Sequence, residues 1–246
     1  VAVAGHRRRE PGLDQPLGIW DSYGLSQYEL GAGNISEDSR GRWYINITVK
    51  QKAAPKQIGK GAIGIDLGLK DFAAFSEEAE ANVEAPRFYR DLEEPLAIAQ
   101  RANKKQRVKA IHAKIANRRK DFLHKLSTHL VHEYGAIFIG NVNASGLAKT
   151  RMAKSVLDAG WSTFRTMLQY KGDDAGSWVL QINEANSTRE CACCGRLTGP
   201  TGLAGLSVRE WVCSHCGSLR PRDRNSAQVI KARGMAQLAG ASATAS

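Results

Sequence analysis

Two C-x-x-C pairs carry the plainest chemistry in this chain: Cys191-Ala192-Cys193-Cys194 and Cys213-Ser214-His215-Cys216, with eighteen residues between them. Each such turn offers two sulfurs from one tight knuckle, and two knuckles together can close tetrahedrally on one zinc ion. The predicted Zn²⁺ ligands are Cys191, Cys194, Cys213 and Cys216, with Cys193 a spare thiol and His215 outside the set. Two carboxylates stand where a hard cation could be held. Asp66 closes the short apolar run Ala62-Ile63-Gly64-Ile65-Asp66-Leu67, and Asp223 opens the last predicted helix. Alone, either is an ordinary turn or cap residue.

The elements around these residues decide whether they meet. Ala62–Leu67 and Asp71–Phe75 read as two buried strands, with a weaker third near Arg87-Phe88-Tyr89. From Arg101 to Tyr134 one apolar stripe runs through Val108, Ile111, Ile115, Phe122, Leu126 and Leu130, the spacing of a long amphipathic helix. A buried strand, Ala136–Ile139, follows, then a helix from Trp161 to Ala175 and a strand from Trp178 to Ile182. After the cysteine pairs comes a helix from Arg224 to about Met235. Parallel strands joined by helices make an α/β layer architecture, and a hairpin feeding such a crossover is ribonuclease-H-like connectivity. In that topology Asp66 and Asp223 converge at one sheet edge. Carboxylates so placed hold two Mg²⁺ ions for phosphodiester cleavage.

Charge points to the substrate class. Thirty-five basic against 24 acidic residues give +11, with a pI near 9.6, which favours a polyanionic partner. Much of the excess lies on the long helix, in Lys104, Lys105, Arg107, Lys114, Arg118, Arg119 and Lys120, with Asp121 almost the only acid among them. A solvated helix face usually mixes signs to gain i,i+4 pairs, so this face is expected to meet phosphates.

Several of these motifs, in order, resemble the transposon-encoded TnpB/OrfB family, relatives of the type V CRISPR effector nucleases. The likeness runs from about Trp43 to Gly234. It rests on Gly64-Ile65-Asp66-Leu67-Gly68-Leu69, on Asn141-Val142-Asn143-Ala144-Ser145-Gly146-Leu147, on both cysteine pairs, and on Arg222-Asp223-Arg224-Asn225-Ser226-Ala227. The last resembles the family's R-D-x-N-A-A signature, with Ser226 where alanine is usual. The resemblance implies a RuvC-like, RNA-guided DNA nuclease with guide RNA and target DNA as partners. It further implies Asp66 and Asp223 as metal ligands and the four cysteines around zinc.

Two departures stand out. The family's third metal ligand is a glutamate ending the middle strand, where this chain has Gly140-Asn141. Glu184 is the expected replacement. It follows the neighbouring strand, and adjacent strands lie only about 4.8 Å apart; Glu190, at the knuckle, is the weaker candidate, and Asn141 offers a neutral contact. The second departure is length: family members carry further N-terminal portions, so the chain is expected to be a fragment, a degenerate copy or a compact variant. A nuclease-dead, RNA-guided repressor and a transposon remnant that only binds nucleic acid are the alternatives to cleavage.

The remaining expectations are broad. Residues 1–60 form a partial β module containing the strand Trp43–Val49. Residues 61–185 with 218–236 form the nuclease domain, 186–217 an inserted zinc ribbon, and 237–246 a disordered tail. With no run of eighteen apolar residues and no signal-like start, membrane and secreted classes are not expected. A prokaryotic, cytoplasmic, nucleoid-associated protein with no small-molecule substrate is the expected setting. Glycines 59, 64 and 68 make no phosphate loop, because no Gly-Lys-Ser/Thr follows. Trp161 and Trp178 are read as core.

Overall fold

The computed structural model describes residues 2–4, 28–50, 52–56, 59–142, 149, 153–205 and 207–244. Arg7, Arg8, Arg9, Trp20, Tyr23 and residues 143–147 of the middle-strand motif lie outside the described residues. Two compact units emerge, Val1–Ala53 with Leu92–Lys114, and Ala54–Asp91 with Ile115–Ser246.

The first unit holds an antiparallel sheet in the order β1 (Ala2–Ala4), β3 (Trp43–Lys50), β2 (Glu29–Glu37). The β2–β3 turn is organised by Asp38, whose carboxylate accepts the Arg40 and Arg42 backbone N–H groups and pairs with the Arg42 guanidinium at 2.6 Å. This unit also carries α1 (Glu93–Arg101) and the start of α2 (Lys105–Glu133). The single long helix expected from Arg101 is therefore interrupted. Asn103 sits at φ 53°, a left-handed conformation that Asn tolerates better than most residues, so α2 begins only at Lys105.

The second unit is built on a five-stranded sheet, β6 (Val83–Glu84), β5 (Asp71–Phe75), β4 (Ala62–Leu67), β7 (Ala136–Gly140), β8 (Trp178–Ile182), in that spatial order. β4, β5 and β6 pair antiparallel, while β4, β7 and β8 run parallel. The hairpin therefore feeds a crossover into parallel strands, and the α/β, ribonuclease-H-like class expected from the sequence is the fold observed. The third strand is not at Arg87–Tyr89. It ends at Glu84, before Pro86, which has no N–H to give a ladder.

Alternation along the strands sorts the two faces. Ile63, Ile65, Ile137, Ile139 and Val179 join the core beneath α2 and α4 (Trp161–Ala175), with Leu123, Leu130, Phe164 and Leu168. The short helix α3 (Ala153–Ala159), not anticipated, adds Val156 and Ala159 to it. The opposite parity, Ala62, Ala136, Phe138, Leu180 and Ile182, meets Ile230 and Leu238 of the final helix α5 (Arg222–Thr244). That helix outruns the predicted end near Met235, and the Ala-rich stretch assigned to a disordered tail is helical to Thr244. Alanine has the highest helix propensity, which outweighs the lack of hydrophobic periodicity there. α5 lies so close to β4 that a Cβ at Gly64 would overlap the Ala227 carbonyl oxygen.

Candidate functional site

The same parity builds a site. Asp66 shares its strand face with Ala62 and Gly64, so it faces α5 and not the α2 side. Across the parallel register Ile65 pairs with Ile139 and Gly140 with Ile182, which brings the ends of β4, β7 and β8 level. Glu184, two residues beyond Ile182, returns to the α5 face. Its Oε2 occupies the space that a Cβ at Gly140 would need. The glutamate carboxylate thus fills the place left at the end of the middle strand. Asn141 supports this arrangement, its N–H bonding the Ile182 carbonyl at 3.0 Å and its Oδ1 accepting the Glu184 N–H at 3.3 Å.

Asp223, in the first turn of α5, completes the edge; a helix N-terminus favours negative charge. Asp66, Glu184 and Asp223 line one cavity of about 590 Å³, together with Lys70, Trp161, Arg209 and Arg222. Burial pushes the Asp66 carboxyl up to about 7, reinforced by the charges of Glu184 and Asp223. Burial also raises Glu184, against the pull of Arg165. Asp66 is held by Ser226, one turn after Asp223 on the same helix face. The Ser226 hydroxyl lies 2.7 Å from that of Ser187, and both residues are buried. A hydroxyl has one hydrogen, so with Ser226 donating to Asp66, Ser187 must donate to Ser226.

The residues fit a divalent cation. Glu184 Oε2 is buried with no hydrogen-bond partner, a costly state for a carboxylate oxygen unless a cation meets it. Nearby, Arg209 lies 3.5 Å from Asp223. The carboxylate oxygens do not all fall within 4.8 Å of one another; among the described residues that spacing belongs to the cysteines alone.

The four predicted cysteines form the second site, their sulfurs all within 4.8 Å of one another. Cys191 and Cys216 lie 3.7 Å apart, as do Cys194 and Cys213. A tetrahedron with Zn–S bonds of about 2.3 Å has edges of about 3.8 Å, so the cage is already close to the required size. The Thr198 hydroxyl, 3.1 Å from Cys213 Sγ, draws that thiol down to about 5. Cys194 is pushed up to about 12, despite the Arg196 amide, by burial and by the neighbouring sulfurs. A cation between the sulfurs would hold all four as thiolates. Trp211, on β9 (Glu210–Val212), packs with Cys191 and Cys213, and β9 pairs with β10 (Leu219–Pro221). Cys193 is exposed.

The two sites are joined through α5. Asn225, next to Ser226, donates to the Glu190 carbonyl at 2.6 Å and accepts from the Ala192 N–H at 2.9 Å, gripping the first knuckle. Arg233 donates to the Asn183 carbonyl and pairs with Glu190 at 2.5 Å, so Glu190 faces α5 as an ion-pair partner. None of these linkages was read in the sequence; the signal for Ser226 was its departure from alanine.

The predicted phosphate-facing residues divide. Lys104, Lys105, Arg107, Lys114, Arg118 and Lys120 are exposed. Arg119 is turned inward, its guanidinium 2.6 Å from the buried Asp158 carboxylate. Trp161 is buried, as read, although its indole N–H has no partner.

Comparison with known proteins places these features. Residues 44–151 match the OrfB_IS605 family model, described as "Probable transposase", and residues 161–230 match the "Cas12f1-like, TNB domain" model. A Streptomyces pristinaespiralis protein named "Putative RNA-guided DNA endonuclease" is 34% identical over 82% of this chain and 52% of its own length. "Putative RNA-guided DNA endonuclease InsQ" of Escherichia coli (strain K12) is 28% identical over 89% of this chain and 61% of its own. The chain thus spans about half the length of the curated relatives it matches. In fold, it is similar to a chain of the "Cryo-EM structure of the Cas12f1-sgRNA-target DNA complex", with TM-score 0.51 and 14% identity over 80% of this chain and 55% of that one. No helix among the described residues is long and apolar enough to cross a membrane.

Proposed function

Since the chain belongs to the TnpB/OrfB family, we propose that it is a metal-dependent, RNA-guided DNA endonuclease whose cutting site is the Asp66–Glu184–Asp223 cavity. The observation that carries this reading is the placement of Glu184. Its carboxylate stands over Gly140, at the very position left without a side chain, and keeps one buried oxygen unpartnered. A dead site would have no reason to refill that position with a charge whose burial is costly. Asp66, Glu184 and Asp223 are assigned as Mg²⁺ ligands; such cations activate a water and stabilise the leaving oxygen in phosphodiester cleavage. The chain's own residues do the rest. Ser226 and Ser187 hold Asp66 at one angle, and Asn141 fixes the Glu184 backbone. Arg222 and Arg209 supply positive charge at the cavity wall, and Trp161 closes it with an apolar surface.

We assign zinc, in a structural role, to Cys191, Cys194, Cys213 and Cys216, within a ribbon at 186–217 inserted into the nuclease domain. Guide RNA and target DNA are the assigned partners, with the exposed cations of α2 meeting phosphates. The names of the relatives and the basic balance of +11 support those partners. Gly140 favours one second reading, guide-directed binding without cleavage. The deciding experiment is a Mg²⁺-dependent cleavage assay on the protein with its co-purified RNA, sequenced to define the target. Cleavage by wild type that is lost in Glu184→Ala supports the nuclease. Equal cutting by both removes Glu184 from the site. Tight RNA-dependent DNA binding with no cutting by wild type supports occupancy alone.

A further inference from the structure

A second cavity, of about 270 Å³, adjoins the carboxylate pocket. The two share Leu69 and Lys70, so one groove continues from the metal-ligand edge across Lys70 toward Arg87 and Arg90. All three cations are exposed. Among the described residues the Lys70 and Arg87 side chains make no hydrogen bond or ion pair, and Arg90 reaches only the Ser155 hydroxyl, at 3.4 Å. The carboxylate in this cavity, Asp158, is already met by Arg119. In the smaller cavity three positive charges therefore meet a single carboxylate that is already paired, while Asp66, Asp71, Glu184 and Asp223 line the larger one.

Their support is firm. The Ala85 N–H bonds the Lys70 carbonyl at 3.1 Å, and the Tyr89 N–H bonds Asp158 Oδ2 at 2.9 Å. Asp158 is buried and also receives Arg119 through its backbone carbonyl at 2.7 Å, so α2, α3 and the segment bearing Arg87 and Arg90 are pinned at one point. Buried charge of this kind is costly unless fully paired. Here it fixes the stretch that carries Arg87 and the short helical turn that begins at Arg90, both guanidinium groups exposed beside one exposed carboxylate, Asp91.

We propose that this groove seats the phosphodiester backbone of the DNA single strand beside the phosphate being cut, with Lys70 nearest the cavity and Arg87 and Arg90 further along. A strand whose phosphate lies at the carboxylates must leave that cavity still carrying one negative charge per nucleotide. The groove offers cations in succession. Arg suits phosphate through its planar fork of donors, and Lys through a mobile point charge. The proposal rests on the nuclease reading for its location, but binding can be measured without cutting.

The test is the salt dependence of binding of a short labelled dT oligonucleotide to the purified chain with its co-purified RNA. A Lys70→Ala/Arg87→Ala/Arg90→Ala variant is compared with wild type and with a charge-matched control, Lys52→Ala/Lys60→Ala/Arg196→Ala. Each lost phosphate contact on a single strand removes about 0.7 from the slope of log K against log salt, so the groove variant should be shallower by about two. If wild type cuts, Arg87→Ala/Arg90→Ala raises KM proportionately more than it lowers kcat, the direction expected where binding away from the reacting phosphate is lost. An unchanged slope overturns the proposal, as does an equal change in the control. Loss of the co-purified RNA with the dT slope retained assigns the groove to RNA and overturns it as well. A wild type that cuts nothing but shows the slope difference keeps the groove and removes only the nuclease.

Discussion

The cysteine quartet and the carboxylate pocket both meet the first turns of α5, one through Asn225 and the other through Asp223 and Ser226, yet they were assembled in opposite ways. The quartet comes from two local turns, and its geometry is complete in the chain itself, with sulfur separations of 3.7 Å matching a zinc tetrahedron. The pocket draws on three separate segments, and its residues meet only because strand parity and parallel register align them. The pocket cannot be moved at all without moving the sheet. Change should therefore cost fold in one and chemistry in the other, and the predictions below test that division.

The largest effect is expected at the quartet. Structural zinc in such cages contributes roughly 10–16 kcal/mol of apparent binding energy that is also folding energy. Cys213→Ser should remove bound zinc, measured by elemental analysis, and expose 186–217 to limited proteolysis. Cleavage should fall with it, because Asn225 and the Arg233–Glu190 ion pair tie the knuckle to the helix that carries Asp223. If cleavage survives zinc loss, the two sites are independent and the bracing role is wrong.

Asp223→Asn should do the reverse. Zinc content, thermal midpoint and RNA-dependent DNA binding should stay at wild-type levels. With Asp223 a cation ligand as proposed, its loss forfeits several kcal/mol of transition-state stabilisation, so cleavage should drop on the order of a thousandfold or more. A variant that also loses zinc would break the comparison.

Gly140 and Glu184 sharpen it further. Gly140→Ala forces a methyl into the Glu184 carboxylate and should destabilise the protein by about 1–3 kcal/mol in denaturant titrations. The same change in a Glu184→Gly background should be nearly free, a coupling visible in a double-mutant cycle. The exchange Gly140→Glu/Glu184→Gly should restore cleavage lost in Glu184→Gly, since both positions deliver a carboxylate to one place. Failure of the exchange, with the coupling intact, would make Glu184 a space-filler.

These differences also explain what the sequence disclosed. The quartet was legible because its ligands are close in the chain. Asp66 and Asp223 were legible from strand end and helix start together, and Glu184 from the glycine opposite it. Ser187, Asn225 and Arg233 were not, because their roles arise from contacts between segments 33 to 50 residues apart, where no spacing rule applies. The α2 start was missed because the apolar stripe begins only at Val108 and marks no boundary upstream, where Asn103 takes a left-handed conformation. Arg119 was grouped with phosphate-facing cations because its partner Asp158 lies on a helix that the periodicity did not reveal.

The smallest effect concerns pH, and it again separates the two regions. With no cation bound, burial and the neighbouring carboxylates raise Asp66 to about 7, above its ordinary 3.8. Between these values the folded state holds a proton that the unfolded chain has released. Stability must then fall as pH rises, by up to about 1.4 kcal/mol per pH unit. In Mg²⁺-free buffer, without a chelator that would strip the quartet, the thermal midpoint should decline across pH 4 to 7. Added Mg²⁺ should flatten that decline by meeting the deprotonated form. Asp66→Asn should flatten it without Mg²⁺, while Cys213→Ser should leave the slope contributed by Asp66 in place. A decline that persists in Asp66→Asn would trace to another group and take the charge conflict out of the pocket.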